Sequence, residues 1–278
     1  MDMSTDLPYP AAQGYRVIEV SGTRNGLRHD GPDCVAEEVP VALEFNGVSH
    51  AVMMATPADL EDFAYGFAIT EGIVDTASQI HDCEWSSSAQ GYTVQLSIAA
   101  VCFSRLREKR RNLTGRTGCG LCGTESLLQA VRHPEPLRGA QSFDAKAVAK
   151  SMANLKERQM LLALTGATHA AAWCTADGHI ELIREDVGRH NALDKLIGAL
   201  VRSGQPASTG FIAITSRASY EMVQKTAAVG VTLLAAVSGV TGLAVDVAQS
   251  AGLTLLGFAR GDDISIYSHP ERFQLDAQ

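Results

Sequence analysis

The chain has 278 residues, 46% of them hydrophobic, and a formal net charge of −8 at pH 7. This is enough for one large or two ordinary domains, and an acidic protein is not suited to coat nucleic acid or an anionic membrane. No apolar run approaches the roughly 18 to 20 residues of a membrane span, and the acidic N-terminus lacks a signal-peptide pattern. We therefore expect a cytoplasmic protein whose six cysteines, with only one close pair among them, stay reduced.

The first predicted elements belong to a small α+β unit. Residues 1–14 have no periodic pattern and are expected to form a loose tail. Order is predicted to begin near residues 15–20, where apolar side chains alternate as in a strand. Alternation over residues 39–54, on both sides of Asn46-Gly47, predicts a β-hairpin because this pair is a strong two-residue turn signal.

A helix is predicted directly after the hairpin. Thr56 is the expected N-cap, Pro57 the first helical residue and Gly72 the stop. One face is apolar at the helical spacing, through Leu60, Phe63, Ala64, Phe67 and Ala68. We assign the tail to residues 1–14, a small α+β domain to residues 15–140 and a second domain to residues 141–278.

A basic stretch lies near the end of the first domain. Its cations, in an otherwise acidic chain, are Arg105, Arg107, Lys109, Arg110, Arg111 and Arg116. They fit a solvated helix face. They also fit an anion site or a dock for an acidic partner, because clustered guanidinium groups pair with phosphates and carboxylates.

The chain's one close cysteine pair follows in a glycine-rich loop. Cys119 and Cys122 lie among four glycines in residues 115–123, which predicts a mobile loop. A Cys-x-x-Cys pair can bind a metal, act as a redox dithiol, relay sulfur or pack in a core. Zinc is disfavoured because no second close pair exists, and a thioredoxin-like site is disfavoured by the flanking glycines.

The second domain alternates strands and helices. A helix is predicted over residues 144–162, and a hairpin over residues 168–184 around Asp177-Gly178. After a helix at 191–201, a β-α-β-α-β series has strands at 211–215, 231–237 and 253–258 and helices at 220–229 and 241–251. The apolar strands imply a largely parallel sheet with helices on both faces, which binds ligands beyond the carboxyl ends of its strands.

Three loops at that edge have the chemistry of an anion site. Residues 216–219 and 238–241 supply hydroxyls and helix N-terminal amides, and residues 259–263 add an arginine to Arg217. A phosphate or diphosphate is the expected ligand, and none of the three loops carries a Walker or a G-x-G-x-x-G sequence. The carboxylates of Asp262 and Asp263 either accept hydrogen bonds from a guanine edge or are simply solvated.

One further polar segment, residues 185–195, leads into a helix. Helix capping explains Asp186 or His190-Asn191 at such a position. Capping does not require Glu185, Arg189 and His190 together, so a role for them in a site stays open.

Jointly these segments resemble the FdhD family of sulfurtransferases, which serve formate dehydrogenases. The resemblance runs from about residue 35 to residue 272. It rests on Glu37-Glu38-Val39-Pro40, Tyr65-Gly66-Phe67 with Glu71-Gly72-Ile73, Gly118-Cys119-Gly120-Leu121-Cys122-Gly123, Thr168-His169-Ala170-Ala171-Ala172, residues 185–195 and residues 216–225.

The resemblance implies a homodimer with a cytidine-deaminase-like α/β/α domain and a smaller N-terminal α+β domain. It implies that sulfur passes from a cysteine desulfurase to a molybdenum or tungsten bis-molybdopterin guanine dinucleotide cofactor, which then enters formate dehydrogenase. Cys119 is the implied persulfide carrier, and Cys122 either releases the sulfur or retains it in relay. The family's cofactor-binding segment falls on Phe258, Ala259, Arg260, Gly261, Asp262 and Asp263, beside the crevice residues Ser216, Arg217 and Ser219, and GDP is the expected mimic.

Two other functions remain open from the sequence. One is a chaperone that binds the cofactor and delivers it without sulfur chemistry. The other is a protein-interaction module whose structure is held together by a zinc ion. Deamination is not supported, because no His-x-Glu is followed by Pro-Cys-x-x-Cys.

Overall fold

The computed structural model describes residues 14–114, 134–137, 141–261 and 263–275. Several predictions fall outside these residues. They concern the tail at residues 1–13, the loop with Arg116, Cys119 and Cys122, and Asp262.

The N-terminal unit is built on a four-stranded sheet. The hairpin of β1 (Tyr15–Arg24) and β2 (Leu27–Ala36) precedes this sheet. The sheet consists of β3 (Val39–Phe45), β4 (Val48–Ala55), β5 (Ile80–Ser88) and β6 (Gly91–Ile98), in the order β4-β3-β6-β5. The predicted hairpin is confirmed, because β3 and β4 pair antiparallel and Asn46 and Gly47 have φ angles of 48° and 75°.

Two helices cover this sheet, α1 (Leu60–Thr70) and α2 (Ala100–Thr114). The predicted apolar face of α1 is buried, and Phe63 packs in one core with Phe45 and Leu96 from the strands. Cys102 and Leu106 bring α2 into the same core. The period of the apolar residues therefore predicted the buried face of α1 correctly.

The predicted start of α1 is wrong. The helix begins at Leu60, so Pro57 precedes it. Thr56 is fully buried, its N–H donates to Asp186 Oδ2 at 2.9 Å, and its carbonyl accepts from Lys195 Nζ at 2.8 Å. Because both partners come from the second half of the chain, the backbone of Thr56 is engaged there and does not cap the helix.

The second half of the chain forms a six-stranded sheet in the order β13-β12-β11-β10-β8-β9. Its strands are β8 (His169–Thr175), β9 (Ile180–Asp186), β10 (Gly210–Ile214), β11 (Leu233–Ala236), β12 (Thr254–Arg260) and β13 (Asp263–Ser268). β10, β11 and β12 are parallel, which confirms the predicted β-α-β-α-β series. β8 is antiparallel to both β9 and β10, and β13 is antiparallel to β12, so the sheet is mixed and the expectation of a largely parallel sheet was wrong. A short parallel pair, β7 (Phe143–Asp144) and β14 (Phe273–Gln274), lies apart from this sheet.

Helices cover both faces of the six-stranded sheet. They are α3 (Ala145–Arg158) on one face and α5 (Arg189–Ser203), α6 (Tyr220–Ala228) and α7 (Gly242–Ala251) on the other, while the short helix α4 (Met160–Thr165) packs against β2. Ile212 and Leu234 point into one core with α5, α6 and α7. Their neighbours Phe211 and Leu233 point into the opposite core with α3. This alternation is why the strands are apolar throughout.

The two halves meet where α1 crosses α5. A Cβ atom on Gly66 would lie 1.7 Å from the carbonyl oxygen of Asp194, and one on Gly198 would lie 1.8 Å from that of Asp62. Two glycines thus allow the helix backbones to touch. The predicted domain boundary near residue 140 stays a prediction. None of the described helices is long and apolar enough to span a membrane.

Candidate functional site

The carboxyl ends of β10, β11 and β12 form one crevice. We call it the strand-end crevice and define it by residues 215–219, 237–241 and 258–261 with Asp263. Ala218 N donates to the carbonyl of Gly239 and the carbonyl of Ala218 accepts from Thr241 N, both at 3.1 Å, and Phe258 N donates to the carbonyl of Ser238 at 3.1 Å. The three loops that the sequence selected are therefore held together at one edge of the sheet.

Two serines of the crevice stand before α6. Ser216 is 5% exposed and donates to the carbonyl oxygen of Arg217 at 3.1 Å, while Arg217 itself is exposed. Ser219 precedes the first residue of α6, and its Oγ is buried without a hydrogen-bond partner among the described residues. A buried hydroxyl without a partner at a helix N-terminus is suited to an anionic ligand.

Phe258 and Arg260 form the other side of the crevice. Phe258 is 42% exposed and has a φ of 52°, an uncommon angle for a residue with a side chain. Arg260 Nε donates to the carbonyl of Val237 at 2.9 Å, and its guanidinium carbon lies 5.9 Å from the centroid of the Phe258 ring. An exposed aromatic ring thus lies beside a cation anchored to the next strand.

Most of the described residues in the expected loop at 259–263 belong to two strands. Ala259 and Arg260 continue β12, Ala259 is 1% exposed, and Asp263 pairs with Arg260 in the β12–β13 register. The predicted strand end at Phe258 was therefore too early. Arg260 and Asp263 remain exposed, whereas Ala259 packs inward and offers only backbone.

A cavity of about 490 Å³ adjoins the crevice on the α3 face. Arg260 and Gly261 line one side of it, and Lys156 and Gln159 line the other. Sequence reasoning missed Lys156 and Gln159, because a continuous helix was predicted through them. Gln159 instead separates α3 from α4.

Glu185 is the cause of that break. Its carboxylate accepts from Leu161 N and Leu162 N, both at 2.9 Å, and from Thr168 Oγ1 at 2.9 Å. These amides are the free donors in the first turn of α4, so Glu185 acts as a cap from a distant strand. These contacts give Glu185 a structural role at the start of α4.

Other members of the 185–195 segment also hold the structure together. Asp186 accepts from Gly188 N and from Asn191 Nδ2, and it forms an ion pair with Lys195. His190 Nε2 lies 2.9 Å from Glu221 Oε2, and this contact lowers the pKa of Glu221. The segment therefore fixes the start of α5 against α6 and the N-terminal unit.

The basic stretch is partly structural. Arg105 donates from both terminal nitrogens to Asp75, at 3.1 and 3.0 Å, and also to the carbonyl of Ile73. Arg107 lies 5.9 Å from the centroid of the Phe103 ring. Arg105 is thus bound within its own unit. The side chains of residues 109–114 lie outside the description.

Among the described cysteines, Cys83 and Cys174 have raised pKa values and are therefore poor nucleophiles. Burial raises the pKa of Cys83 to about 12, with nearby Glu61 adding to the shift, and burial raises the pKa of Cys174 to about 12. Cys102 is 1% exposed in the N-terminal core. Since the thiolate is the reactive form, these positions do not suit sulfur chemistry. Cys119 and Cys122 lie outside the described residues.

The chain is similar to known proteins over nearly its whole length. A protein called Sulfur carrier protein FdhD from Cupriavidus necator is 55% identical over 275 residues, covering 97% of this chain and 96% of the relative. One of the same name from Variovorax paradoxus is 57% identical over 256 residues, covering 92% of each chain.

A solved structure shares the fold. It is a crystal structure from Desulfotalea psychrophila, described as a candidate formate dehydrogenase accessory protein, with a TM-score of 0.73 and 22% sequence identity. The structural match covers 94% of this chain and 100% of the Desulfotalea chain. The sequence model of the FdhD/NarQ family matches residues 36–274. This chain therefore belongs to the FdhD/NarQ family.

Proposed function

We propose that this chain is a sulfur carrier in the maturation of formate dehydrogenase. In this proposal it accepts sulfur as a persulfide on Cys119 from a cysteine desulfurase. It then passes the sulfur to a bis-molybdopterin guanine dinucleotide cofactor before that cofactor enters the enzyme. The observation that carries the proposal is the identity of 55% over 97% of the chain to a protein called a sulfur carrier. The Cys119-x-x-Cys122 pair supplies the required thiols.

The sulfur step follows from thiolate chemistry. The Cys119 thiolate attacks the outer sulfur of the donor persulfide, a new S–S bond forms, and the donor cysteine leaves as a thiolate. Cys122 then has two routes. It attacks Cys119, so that sulfide leaves and a disulfide remains, or it takes over the outer sulfur and retains it in relay. The raised pKa values of Cys83 and Cys174 support placing this chemistry elsewhere, in the Cys-x-x-Cys pair.

The cofactor is the substrate of the second step, and the strand-end crevice is its proposed site. Arg217 and Arg260 are exposed cations suited to its diphosphates. The Oγ of Ser219, which has no hydrogen-bond partner among the described residues, and the amides at the start of α6 suit the same groups. GDP carries the guanine and diphosphate of the cofactor and serves as its mimic.

We also propose that the second half of the chain has a cytidine-deaminase-like arrangement. The order of β9, β8, β10, β11 and β12, with helices on both faces, supports it. The same proposal includes a cytoplasmic homodimer. A cytidine-deaminase-like fold does not by itself imply deaminase chemistry.

The experiment is transfer of sulfur to the purified chain. With a cysteine desulfurase, cysteine and no reductant, the peptide with Cys119 should gain about 32 Da, the mass of one sulfur atom, and lose it with dithiothreitol. Cys119→Ser should abolish the gain and formate dehydrogenase activity in cells without another copy of the gene. The matched control, Cys34→Ser on β2, should keep both.

A cofactor chaperone without sulfur chemistry is the alternative. It predicts GDP binding by the wild type, no added mass on any cysteine, and a normal enzyme level with Cys119→Ser. Added mass on Cys34 or on a buried cysteine would contradict the assignment to the Cys-x-x-Cys loop.

A further inference from the structure

Helix α2 has one buried side and one exposed side. Cys102 and Leu106 pack into the core of the N-terminal unit, where they are 1% and 5% exposed. On the other side Val101 is 71% exposed, and Arg107 and Glu108 are exposed as well. The helix is therefore anchored through its apolar side, which leaves its polar side open to a second molecule.

The fold of the N-terminal unit does not account for all the cations of α2. Arg105 is paired with Asp75, whereas Arg107 forms no ion pair with any residue that the structure describes and lies 5.9 Å from the centroid of the Phe103 ring. Stabilisation of the helix dipole acts within the last turn, and Arg107 lies about two turns before the end of α2. Residues 109–111 add three more cations to the same helix.

The position of these cations in the chain links them to the sulfur step. Cys119 follows Thr114, the last residue of α2, by five positions. An extended chain spans at most about 3.6 Å per residue, so the two Cα atoms lie within about 18 Å of each other. Arg107 lies about 10 Å before Thr114 along the helix, at 1.5 Å per residue.

This distance is comparable with the size of a protein interface. A standard interface covers about 800 Å² on each partner, which is a patch roughly 30 Å across. A protein that brings a persulfide to Cys119 therefore covers α2 or borders it. Because the whole chain has a net charge of −8, an acidic partner is repelled by most of the surface and attracted to this part of it.

We propose that the exposed side of α2 is the docking surface for the sulfur donor, a protein with clustered carboxylates around its persulfide. Arg107 pairs with those carboxylates, and Val101 is covered by an apolar side chain of the partner. The exposed valine favours a protein over the phosphates of a free cofactor, since phosphate offers no apolar surface to cover it. The choice of a sulfur donor rests on the proposed function, whereas the charge and exposure of α2 do not.

Sulfur transfer to the whole chain from two donors tests this surface. One donor is a cysteine desulfurase with cysteine, and the other is the persulfide of a small thiol, which needs no docking. Arg107→Glu should slow the gain of about 32 Da from the desulfurase about tenfold at low salt, because attraction to the donor's carboxylates becomes repulsion. Its rate with the small persulfide should stay close to that of wild type. Added salt should slow the desulfurase reaction of wild type and affect that of the variant less.

The matched control is Arg28→Glu, the same charge reversal at an exposed arginine of β2, which should react like wild type with both donors. Val101→Asp tests the apolar part of the surface without touching a cation. An aspartate in the first turn of a helix is compatible with the helix dipole, so this variant should keep the melting temperature of wild type. It should also bind the desulfurase more weakly in calorimetry.

Three results would overturn the docking surface and leave the sulfur-carrier function standing. Equal slowing of Arg107→Glu with both donors would show that Arg107 acts on the loop thiol. Unchanged transfer from the desulfurase in folded Arg107→Glu and Val101→Asp would place the docking surface elsewhere. Normal transfer with lost GDP binding in Arg107→Glu would assign α2 to the cofactor phosphates. Conversely, a wild type that binds the desulfurase through Arg107 and gains no sulfur would contradict the sulfur-carrier function alone.

Discussion

The carboxylate of Asp186 and the ammonium group of Lys195 lie 2.7 Å apart, and both side chains are fully buried. Lys195 also donates to the carbonyl of Thr56, and Asp186 accepts from its N–H. The pair therefore joins the helix α5 to the connection between β4 and α1. Charges buried in this way stay compatible with folding only while each has its partners.

Removing one member of this pair should destabilise the protein strongly. We expect Lys195→Met to lower the free energy of unfolding by about 3 to 5 kcal/mol, because the Asp186 charge is left buried and unpaired. Urea unfolding measures this. Arg28→Met is the control, since Arg28 and Asp30 lie at the same 2.7 Å on the surface, and it should change the stability little. Equal small losses in both variants would contradict the burial of the pair.

The contact between α1 and α5 predicts an unusual response to alanine. Gly66→Ala should lower the free energy of unfolding by about 1 to 3 kcal/mol or more, because the new Cβ would overlap the carbonyl of Asp194. Intrinsic helix propensity alone predicts the opposite sign. Gly242→Ala in α7 meets nothing within 4 Å and should be neutral or stabilising. A stabilised Gly66→Ala protein would show that the helices are further apart than described.

The raised pKa values of Cys83 and Cys174 predict a pH-dependent labelling pattern. With a pKa of about 12, only about one such thiol in ten thousand is ionised at pH 8, so both should resist iodoacetamide in the folded protein. Each unit of pH below 12 raises the thiolate fraction about tenfold, so the labelling rate of Cys83 should rise by about that factor per unit and level off only near pH 12. Peptide mass spectrometry reads each site, with urea-unfolded protein as the fully labelled control. Fast labelling of folded Cys174 at pH 8 would contradict its burial.

The strand-end crevice should bind GDP better than ADP. Arg217→Ala and Arg260→Ala should each weaken GDP by about 1.5 to 3 kcal/mol, the range for a hydrogen bond to a charged group. Arg28→Ala, on the exposed surface of β2, is the control and should bind GDP normally. Calorimetry on the variants gives the affinities. Unaltered GDP binding in both crevice variants would show that the phosphates bind elsewhere.

The acidic residues beside the crevice have a separate test. If Asp262 or Asp263 contacts the guanine edge, replacing it with alanine should reduce the preference for GDP over ADP. Asp263 is exposed and lies opposite Arg260 in the β12–β13 register, at the edge of the crevice. Equal affinity of the wild type for GDP and ADP would remove guanine recognition from the crevice.

Local patterns in the sequence determined much of this protein. The hairpin at Asn46-Gly47 and the three parallel strands followed from turn chemistry and apolar periodicity, since both depend on residues a few positions apart. The strand order also placed the crevice, because parallel strands end at the same edge. The Cys-x-x-Cys pair was visible for the same reason, as its two members are neighbours in the chain.

Contacts between distant residues were decided only by the tertiary structure. The sequence predicted Thr56 as an N-cap, but its backbone N–H donates to Asp186, which lies 130 positions away in the chain. The helix predicted over residues 144–162 breaks because Glu185, more than twenty positions away, caps its second part, and the break buries Gln159 beside the cavity. A carboxylate binds whichever free amides the fold brings near it, and local periodicity contains no information about which ones those are.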